Sequence, residues 1–455
     1  MKNVILNRIT EGGGSVERLL MQQLIHWKNK KTRKPLIIRG ARQVGKTWLM
    51  KEFGKRYFEQ TVYISFDNNE RMKNVFEADF DLPRILSSLK IESGQQIEPE
   101  KTLLIFDEVQ EVPKALTALK YFCENAPEYP IVAAGSLLGV ALHRGTSFPV
   151  GKVEFLNLYP LNFQEFVLAV GETGLADLLE QPDYQIINAF SGKYRELLRR
   201  YYYVGGMPEA VQIYLDTDDV HEVRRIQKEL LTYYANDFSK HAPVQTVPRI
   251  QMVWNSIPMQ LSKENRKFIY GMIREGARAK EFELAIQWLL DCGLIHKAYR
   301  IRKPGLPLIS YMEMSSFKIY LLDVGLMSAM GSLDARTLLE GNQIFQEFKG
   351  ALTEQFIAQE LTASGIELYY YSADNSSGEI DFVVQKGGQV VPVEVKAEEN
   401  LQAKSLRMFC RKYHLETAVR TSMSDYREQE WMINVPLYAV SGYFADFSRR
   451  TSGIE

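Results

Sequence analysis

The chain has 455 residues, 45% hydrophobic and 24% charged, with a formal net charge of −1, which suits two to four domains of ordinary composition. A near-zero charge gives no bulk case for nucleic-acid binding, so any such surface must be local. Cys123, Cys292 and Cys410 are scattered and fit a reducing cytosol, and with no membrane-length apolar run and no signal-peptide core the expectation is a cytoplasmic protein with no membrane partner.

The first informative stretch is "PLIIRGARQVGKTWLMKEFGKRY". A short apolar run predicts a buried strand. Gly40-Ala41-Arg42-Gln43-Val44-Gly45-Lys46-Thr47 then fits G-x-x-x-x-G-K-[ST] at every fixed position, and "KTWLMKEFGKRY", from Lys46, reads as a helix. Strand, glycine loop and helix aim backbone N–H groups and a helix N-terminus at an anion. Residues 40–48 are therefore the candidate ATP-binding set. Lys46 would reach the β- and γ-phosphates and Thr47 would ligate Mg²⁺.

"TVYISFDNNE" predicts a further strand ending near Asp67. "KTLLIFDEVQEVP" sets Asp107 and Glu108 at the end of an apolar run. Asp107 would hold Mg²⁺ through water, and Glu108 would act as general base on the attacking water. "PIVAAGSLLGVAL" ends its apolar run at Gly135-Ser136. Ser136 is either a γ-phosphate sensor or a helix N-cap. Alternating strands and helices imply a parallel sheet covered on both faces.

"GARQVGKT", "LLIFDEVQEVP", "AAGSLLGVAL", "VEFLNLYPLNFQEF" and "YYYVGGMPEAV", with "FKIYLLDVGLM" and "GALTEQFIAQEL" further on, together resemble a large group of bacterial and archaeal AAA+-like ATPases that carry a C-terminal domain of unknown function. The resemblance spans nearly the whole chain. It implies an AAA+-type core and names no substrate. One departure is Gly151-Lys152, where the group often has Gly-Arg. An ammonium there is a point charge and not a planar fork, so the arginine finger stays open among Lys152, Arg42 and Arg144.

Gly205-Gly206 and Pro208 are expected to turn the chain at the end of the ATPase part. From about residue 220 the pattern is helical, with Val223, Ile226, Leu230 and Tyr234 at helical spacing. "VPRIQMVWNSIPMQL" and "AKEFELAIQWLLDCGLI" continue it, and "IHKAYRIR" and "YMEMSSFKIYLLD" read as a hairpin. Three helices and a hairpin describe a winged helix. Either it lies in a DNA groove, with Arg300, Arg302 and Lys303 on phosphates, or it packs against the ATPase. The acids Glu281, Glu283 and Asp291 favour packing.

"GEIDFVVQKGGQVVPVEVKAEEN" predicts a hairpin turning at Gly387-Gly388. Lys386 then faces Gln389, Val384 faces Val391 and Phe382 faces Val393. Ile380, Phe382, Val384, Val391, Val393 and Val395 would share the core face. Glu379 would face Lys396, and Asp381 would face Glu394 on the other side. Two facing carboxylates need a cation between them, and Mg²⁺ or Mn²⁺ would suit. This is similar to the D…ExK constellation of restriction-endonuclease-like nucleases. Asp381, Glu394 and Lys396 are the candidate catalytic residues. Glu354, on the preceding helix, resembles the acid that some relatives add as a metal ligand.

The expected architecture is α/β. Residues 1–215 form a P-loop AAA+-like domain with a parallel sheet, 216–338 a winged-helix domain, and 339–455 an α/β restriction-endonuclease-like domain. The expected function is Mg²⁺-dependent ATP hydrolysis, with the C-terminal domain binding or cleaving DNA under nucleotide control. The rival reading is a nucleotide-driven switch that recruits a protein partner or a second copy of itself, with an inactive C-terminal scaffold.

Overall fold

The computed structural model describes residues 17–136, 148–263, 266–335, 346–373, 378–398 and 403–452. Arg144 lies outside them. The N-terminal part runs α1 (Leu20–Lys28), β1 (Leu36–Arg39), α2 (Lys46–Tyr57), β2 (Gln60–Ser65), α3 (Glu70–Ala78), α4 (Leu82–Ser93), β3 (Thr102–Asp107), α5 (Pro113–Asn125), β4 (Ile131–Ala134) and β5 (Glu154–Asn157). The strands form one parallel sheet in the order β2-β3-β4-β1-β5. Parallel strands buried on both faces need apolar residues at every position, and all of β3 is buried. Leu103 and Ile105 pack with Leu49 and Phe53 of α2, and Leu104 and Phe106 pack with Phe76, Ile85 and Phe122 on the other face. All five strands end at the same edge. The loops after Arg39, Asp107 and Ala134 therefore share one crevice, where α/β sheets bind ligands.

Next come α6 (Phe163–Ala169), α7 (Thr173–Glu180), α8 (Tyr184–Ala189), α9 (Ser191–Val204), α10 (Pro208–Thr217), α11 (Val220–His241), α12 (Val247–Leu261) and α13 (Ala279–Asp291). Val223, Ile226, Leu230 and Tyr234 of α11 are buried, as their spacing predicts. Gly205 and Gly206 do more than turn the chain. A Cβ on Gly205 would stand 2.3 Å from Asp323 Oδ1, and one on Gly206 would stand 1.9 Å from the Leu161 carbonyl oxygen. Asp323 accepts the Gly206 N–H at 2.6 Å. Three distant segments thus meet at backbone contact, which only glycine permits.

The last part runs β6 (Ile295–Ile301), β7 (Met312–Leu321), α14 (Val324–Met330), α15 (Gln346–Ala363), β8 (Tyr369–Ser372), β9 (Glu379–Lys386), β10 (Gln389–Val395), α16 (Lys404–Tyr413), β11 (Val419–Ser422), β12 (Arg427–Gln429), β13 (Met432–Pro436) and α17 (Val440–Ser452). Its strands form an eight-stranded mixed sheet in the order β12-β13-β11-β10-β9-β8-β6-β7. The expected hairpin β6–β7 is present. It is not a free-standing wing, because β6 pairs in parallel with β8 and the hairpin forms the edge of the C-terminal sheet. Arg300 donates to the Ser372 carbonyl at 3.0 Å, and Arg300 and Arg302 both pair with Glu313, at 3.0 and 2.8 Å. Two of the three cations assigned to phosphates are therefore tied within the sheet.

Helix α15 is buried from Ala351 to Leu361, polar residues included. Gln355 brackets the Leu321 backbone, accepting at 2.8 Å and donating at 2.7 Å. Gln359 accepts from Val324 N–H at 2.9 Å and donates to Tyr201 Oη at 2.6 Å. Glu360 accepts the Phe163 N–H at 2.9 Å. Every one of these polar groups finds a partner, which is the condition for burying them. The helix thereby joins the C-terminal sheet to the N-terminal part.

From the turn as far as Phe382 the β9–β10 register is the expected one, with Lys386 opposite Gln389, Val384 opposite Val391 and Phe382 opposite Val393, but the expected pairs of Asp381 with Glu394 and Glu379 with Lys396 are not among the paired positions. The faces differ from expectation. The pairing of β8 with β9 shifts between Tyr369 and Tyr371. Ile380 consequently packs with Val383 and Val390, while Phe382 and Val384 join the other core. Among the described residues no helix is long and apolar enough to cross a membrane.

Candidate functional site

The phosphate loop joins β1 to α2, and its shape follows from its glycines. Gly40 has φ +152° and a Cβ there would meet the Leu158 carbonyl oxygen at 2.2 Å. Gly45 has φ +94° and caps α2, while Gln43 adopts φ 63°. Ala41 and Val44 are buried as the loop's footing, and Trp48 on the first turn of α2 is 39% exposed. Lys46 is buried and donates to the carbonyls of Gly40 and Ala41 at 2.9 and 2.7 Å. Burial pulls its ammonium down to about 8, against the opposing charges of Glu108 and Asp107.

Thr47 Oγ1 donates to Asp107 Oδ2 at 2.6 Å. A threonine hydroxyl and a carboxylate so close are two hard oxygen donors at one point. They fit a Mg²⁺ ion. Glu108 follows in a left-handed conformation, φ 51°. Its carboxylate accepts from Gln110 Nε2 at 2.6 Å and from Ser136 Oγ at 3.3 Å. Ser136 is buried at the end of β4 and also accepts from Arg42 Nε at 3.0 Å. The two candidates Ser136 and Glu108 are thus in direct contact.

Arg42 does not stop at Ser136. Its Nη1 pairs with Asp237 of α11, and its Nη2 meets His241 Nε2 at 3.2 Å. Arginine only donates, so His241 accepts and carries its proton on Nδ1. Burial and the Arg42 charge both lower the imidazole's affinity for a second proton. Tyr234, also on α11, donates to the Arg42 carbonyl at 2.9 Å. Lys152 is placed otherwise. It precedes β5 at the sheet edge opposite the phosphate loop and pairs with Glu124 at 2.9 Å.

Four contributors carry no sequence signal. Arg18 is buried and donates to the Val44 and Tyr159 carbonyls at 2.8 and 2.5 Å, with Glu165 3.1 Å away. It braces the loop from behind. Tyr63 donates to Asp107 Oδ2 at 3.0 Å. Asp237 and His241 are one turn apart on a helix whose apolar pattern was legible, yet nothing in that pattern points at the loop.

The C-terminal candidates divide. Glu354 and Asp381 come together, joined by Glu379, around two cations. Lys318 stands 3.1 Å from Glu354 and 2.6 Å from Glu379. Arg266 pairs with Glu354 and stands 3.8 Å from Asp381. Asp381 Oδ2 also accepts the Val395 N–H at 2.7 Å. Burial pushes the Glu354 carboxyl up, but Arg266 and Lys318 outweigh it and hold it at about 2. Burial and the Glu354 charge push Asp381 up to about 7. Glu394 pairs with Lys396 at 2.8 Å, so Lys396 serves Glu394 while Glu379 is served by Lys318. Asp381 and Glu394, expected to share one cation, are thus served separately by the protein's own side chains. Lys318 and Arg266 already stand beside Glu354 and Asp381, where a divalent ion would have to sit. Among the described residues no group of three or more His, Cys, Asp or Glu is disposed to hold a metal.

Residues 32–167 match the model of an AAA domain family. Residues 195–337 and 349–439 match the models of two domains of unknown function. No curated protein matches the chain. Among solved structures, a Walker-type ATPase of Pyrococcus abyssi aligns at TM-score 0.46 and 14% identity, over 70% of this chain and 96% of that one. The ORC1 protein of Aeropyrum pernix, in complex with DNA, aligns at 0.26 and 13%, over 69% and 90%. RuvB of Thermotoga maritima aligns at 0.29 and 13%, over 61% and 87%. These structural likenesses are loose. The family match, the strand order and the loop geometry together make the N-terminal part a nucleotide-binding, AAA+-like P-loop domain.

Proposed function

We propose that the chain is an ATP-hydrolysing switch: the phosphate loop hydrolyses ATP, and Arg42 passes the state of that site to α11 and, through the buried contacts of α15, to the C-terminal sheet. The carrying observation is that one loop arginine touches both Ser136, the neighbour of Glu108, and Asp237 of α11. Gly40 to Thr47 bind the phosphates, with Lys46 moving from its loop carbonyls to the β- and γ-oxygens. Thr47 and Asp107 hold Mg²⁺, which when bound neutralises the phosphate charge. Glu108 accepts the proton of the attacking water, and its contact with Ser136 orients it. The receiver of the switch is a protein partner or a second copy of the chain.

Amide hydrogen exchange with and without a non-hydrolysable ATP analogue tests this. A switch requires altered protection along Val220–His241. Analogue binding with no change there would refute the coupling and leave a plain ATPase.

A second reading, DNA cleavage by Asp381, Glu394 and Lys396 with Glu354 assisting, has support from the convergence of Glu354 and Asp381 on neighbouring elements. The two cations filling that cluster speak against it. Supercoiled plasmid with Mn²⁺, incubated with wild type and with Asp381→Ala/Glu394→Ala, discriminates: nicking by wild type alone would restore the nuclease reading.

A further inference from the structure

Helix α16 uses one side of itself on the fold. Leu406, Phe409 and Cys410 are buried beneath it. The other side is exposed at Lys404, Arg407, Met408, Arg411 and Lys412. At the helical repeat these positions fall within an arc of about 140°. Four of the five are cations, and the helix contains no acid. Among the described residues, Lys404, Arg407 and Arg411 have no carboxylate partner. Elsewhere helical arginines do pair: Arg56 with Glu52, Arg84 with Asp79, Arg200 with Glu196, and Arg225 with Glu222 and Glu229. Among the described residues the acids nearest in sequence, Glu398 and Glu416, lie beyond the two ends of the helix, and Glu398 pairs with Lys349 at 3.2 Å.

Aromatic rings border the stripe. The Arg407 guanidinium stands 5.7 Å from the Trp431 ring, and Lys412 lies 5.0 Å from the Tyr413 ring. Like charges held side by side repel unless an anion joins them, and a chain of net charge −1 has acids available to relieve them. Leaving three uncompensated on one face suits a polyanion with regularly spaced charges.

We propose that this face of α16 binds the phosphodiester backbone of duplex DNA. The exposed side offers a row of cations, which suits contacts to phosphate oxygens. An anionic bilayer fits less well. An interfacial helix lays its apolar face into the lipid, and the apolar face of α16 is already buried against the sheet. The proposal rests on neither the ATPase reading nor the carboxylate cluster.

The test uses the full chain without nucleotide and follows the anisotropy of a short labelled duplex through a salt titration. Wild type should bind at low salt, with affinity falling linearly in log–log form. Lys404→Glu/Arg407→Glu/Arg411→Glu should bind at least tenfold more weakly, with a slope shallower by about 2.7, at roughly 0.9 per lost phosphate contact. Lys31→Glu/Lys55→Glu/Lys228→Glu makes the same charge change at other exposed positions and should keep the wild-type slope. Three results would overturn the proposal: no wild-type binding at low salt, equal losses in both triple variants, or binding to anionic vesicles with none to DNA. Thermal unfolding checks that each variant is folded. ATP hydrolysis by the same preparations tests the ATPase reading separately, since either activity can fail without the other.

Discussion

Arg42 in the phosphate loop and Asp237 in α11 form an ion pair across 195 residues of sequence. The same guanidinium donates to Ser136, which in turn touches Glu108. A change in where α11 lies therefore reaches the candidate general base through two side chains.

Asp237→Asn should loosen Arg42 and, with it, Ser136 and Glu108. Turnover is expected to fall about tenfold, roughly 1.4 kcal/mol, with KM unchanged, because the phosphate-binding backbone is untouched. Arg42→Ala/Asp237→Asn should lose no more than Arg42→Ala, since residues in one network are not additive. Steady-state kinetics of the three variants decide it, and independent, additive losses would exclude the relay.

Lys46→Ala should abolish ATP binding. In the wild type, burial draws the Lys46 ammonium down to about 8. Below that pH the free protein already carries the charge that phosphate needs. Above it, binding must take up a proton, so ATP affinity should weaken as pH rises through 8 and on toward 10. Calorimetric titration in buffers of different ionisation enthalpy would show the uptake, and a flat affinity from pH 7 to 9.5 would contradict it.

Gly206→Ala sets a methyl 1.9 Å from the Leu161 carbonyl oxygen, and Gly205→Ala sets one 2.3 Å from Asp323 Oδ1. Backbone has to move in each case, and a loss of more than about 3 kcal/mol is expected. Gly192→Ala, in helix α9 with nothing within 4 Å, is the control and should gain up to about 1 kcal/mol. Thermal melts of the three variants compare them directly.

Glu360 accepts from Phe163 N–H and from Ser441. Burial pushes its carboxyl up to about 7. A carboxyl raised in the folded state binds a proton that the unfolded chain has already released. Its contribution to stability is complete below about pH 4.5 and is lost as pH climbs through about 7. Glu360→Gln does not titrate. Relative to wild type it should gain on the order of 3 kcal/mol between pH 4.5 and 8, given the size of that displacement. Denaturant midpoints at pH 5 and pH 8 measure it, and a constant difference would show that Glu360 is ionised throughout.

What the sequence made legible was local. The phosphate loop, the Asp107-Glu108 strand end and the hairpin at Gly387-Gly388 each declare themselves within a dozen residues, because turn chemistry and strand alternation act at that range. The β9–β10 register followed from two glycines alone. What escaped depends on distant pairings. Arg266 gives no hint that it meets Glu354, nor Gly205 that Asp323 lies against it. The hairpin β6–β7 resembled a wing because period-two alternation reports a strand and says nothing of which neighbour it joins. The pairing shift between β8 and β9 moved Ile380 away from Phe382, and a one-residue slip of that kind leaves no compositional trace.

The edge position of β6 and β7 bears on how this protein tolerates being divided. A polypeptide beginning at α15 would still contain six of the eight strands, but β8 would lose the partner that covers its outer side. Its free N–H and C=O groups would then recruit whatever strand came near, including that of a twin molecule. The chemical individuality of the C-terminal half is thus held by residues that precede it in the chain, and a shortened form would be prone to clump for want of its own selvedge.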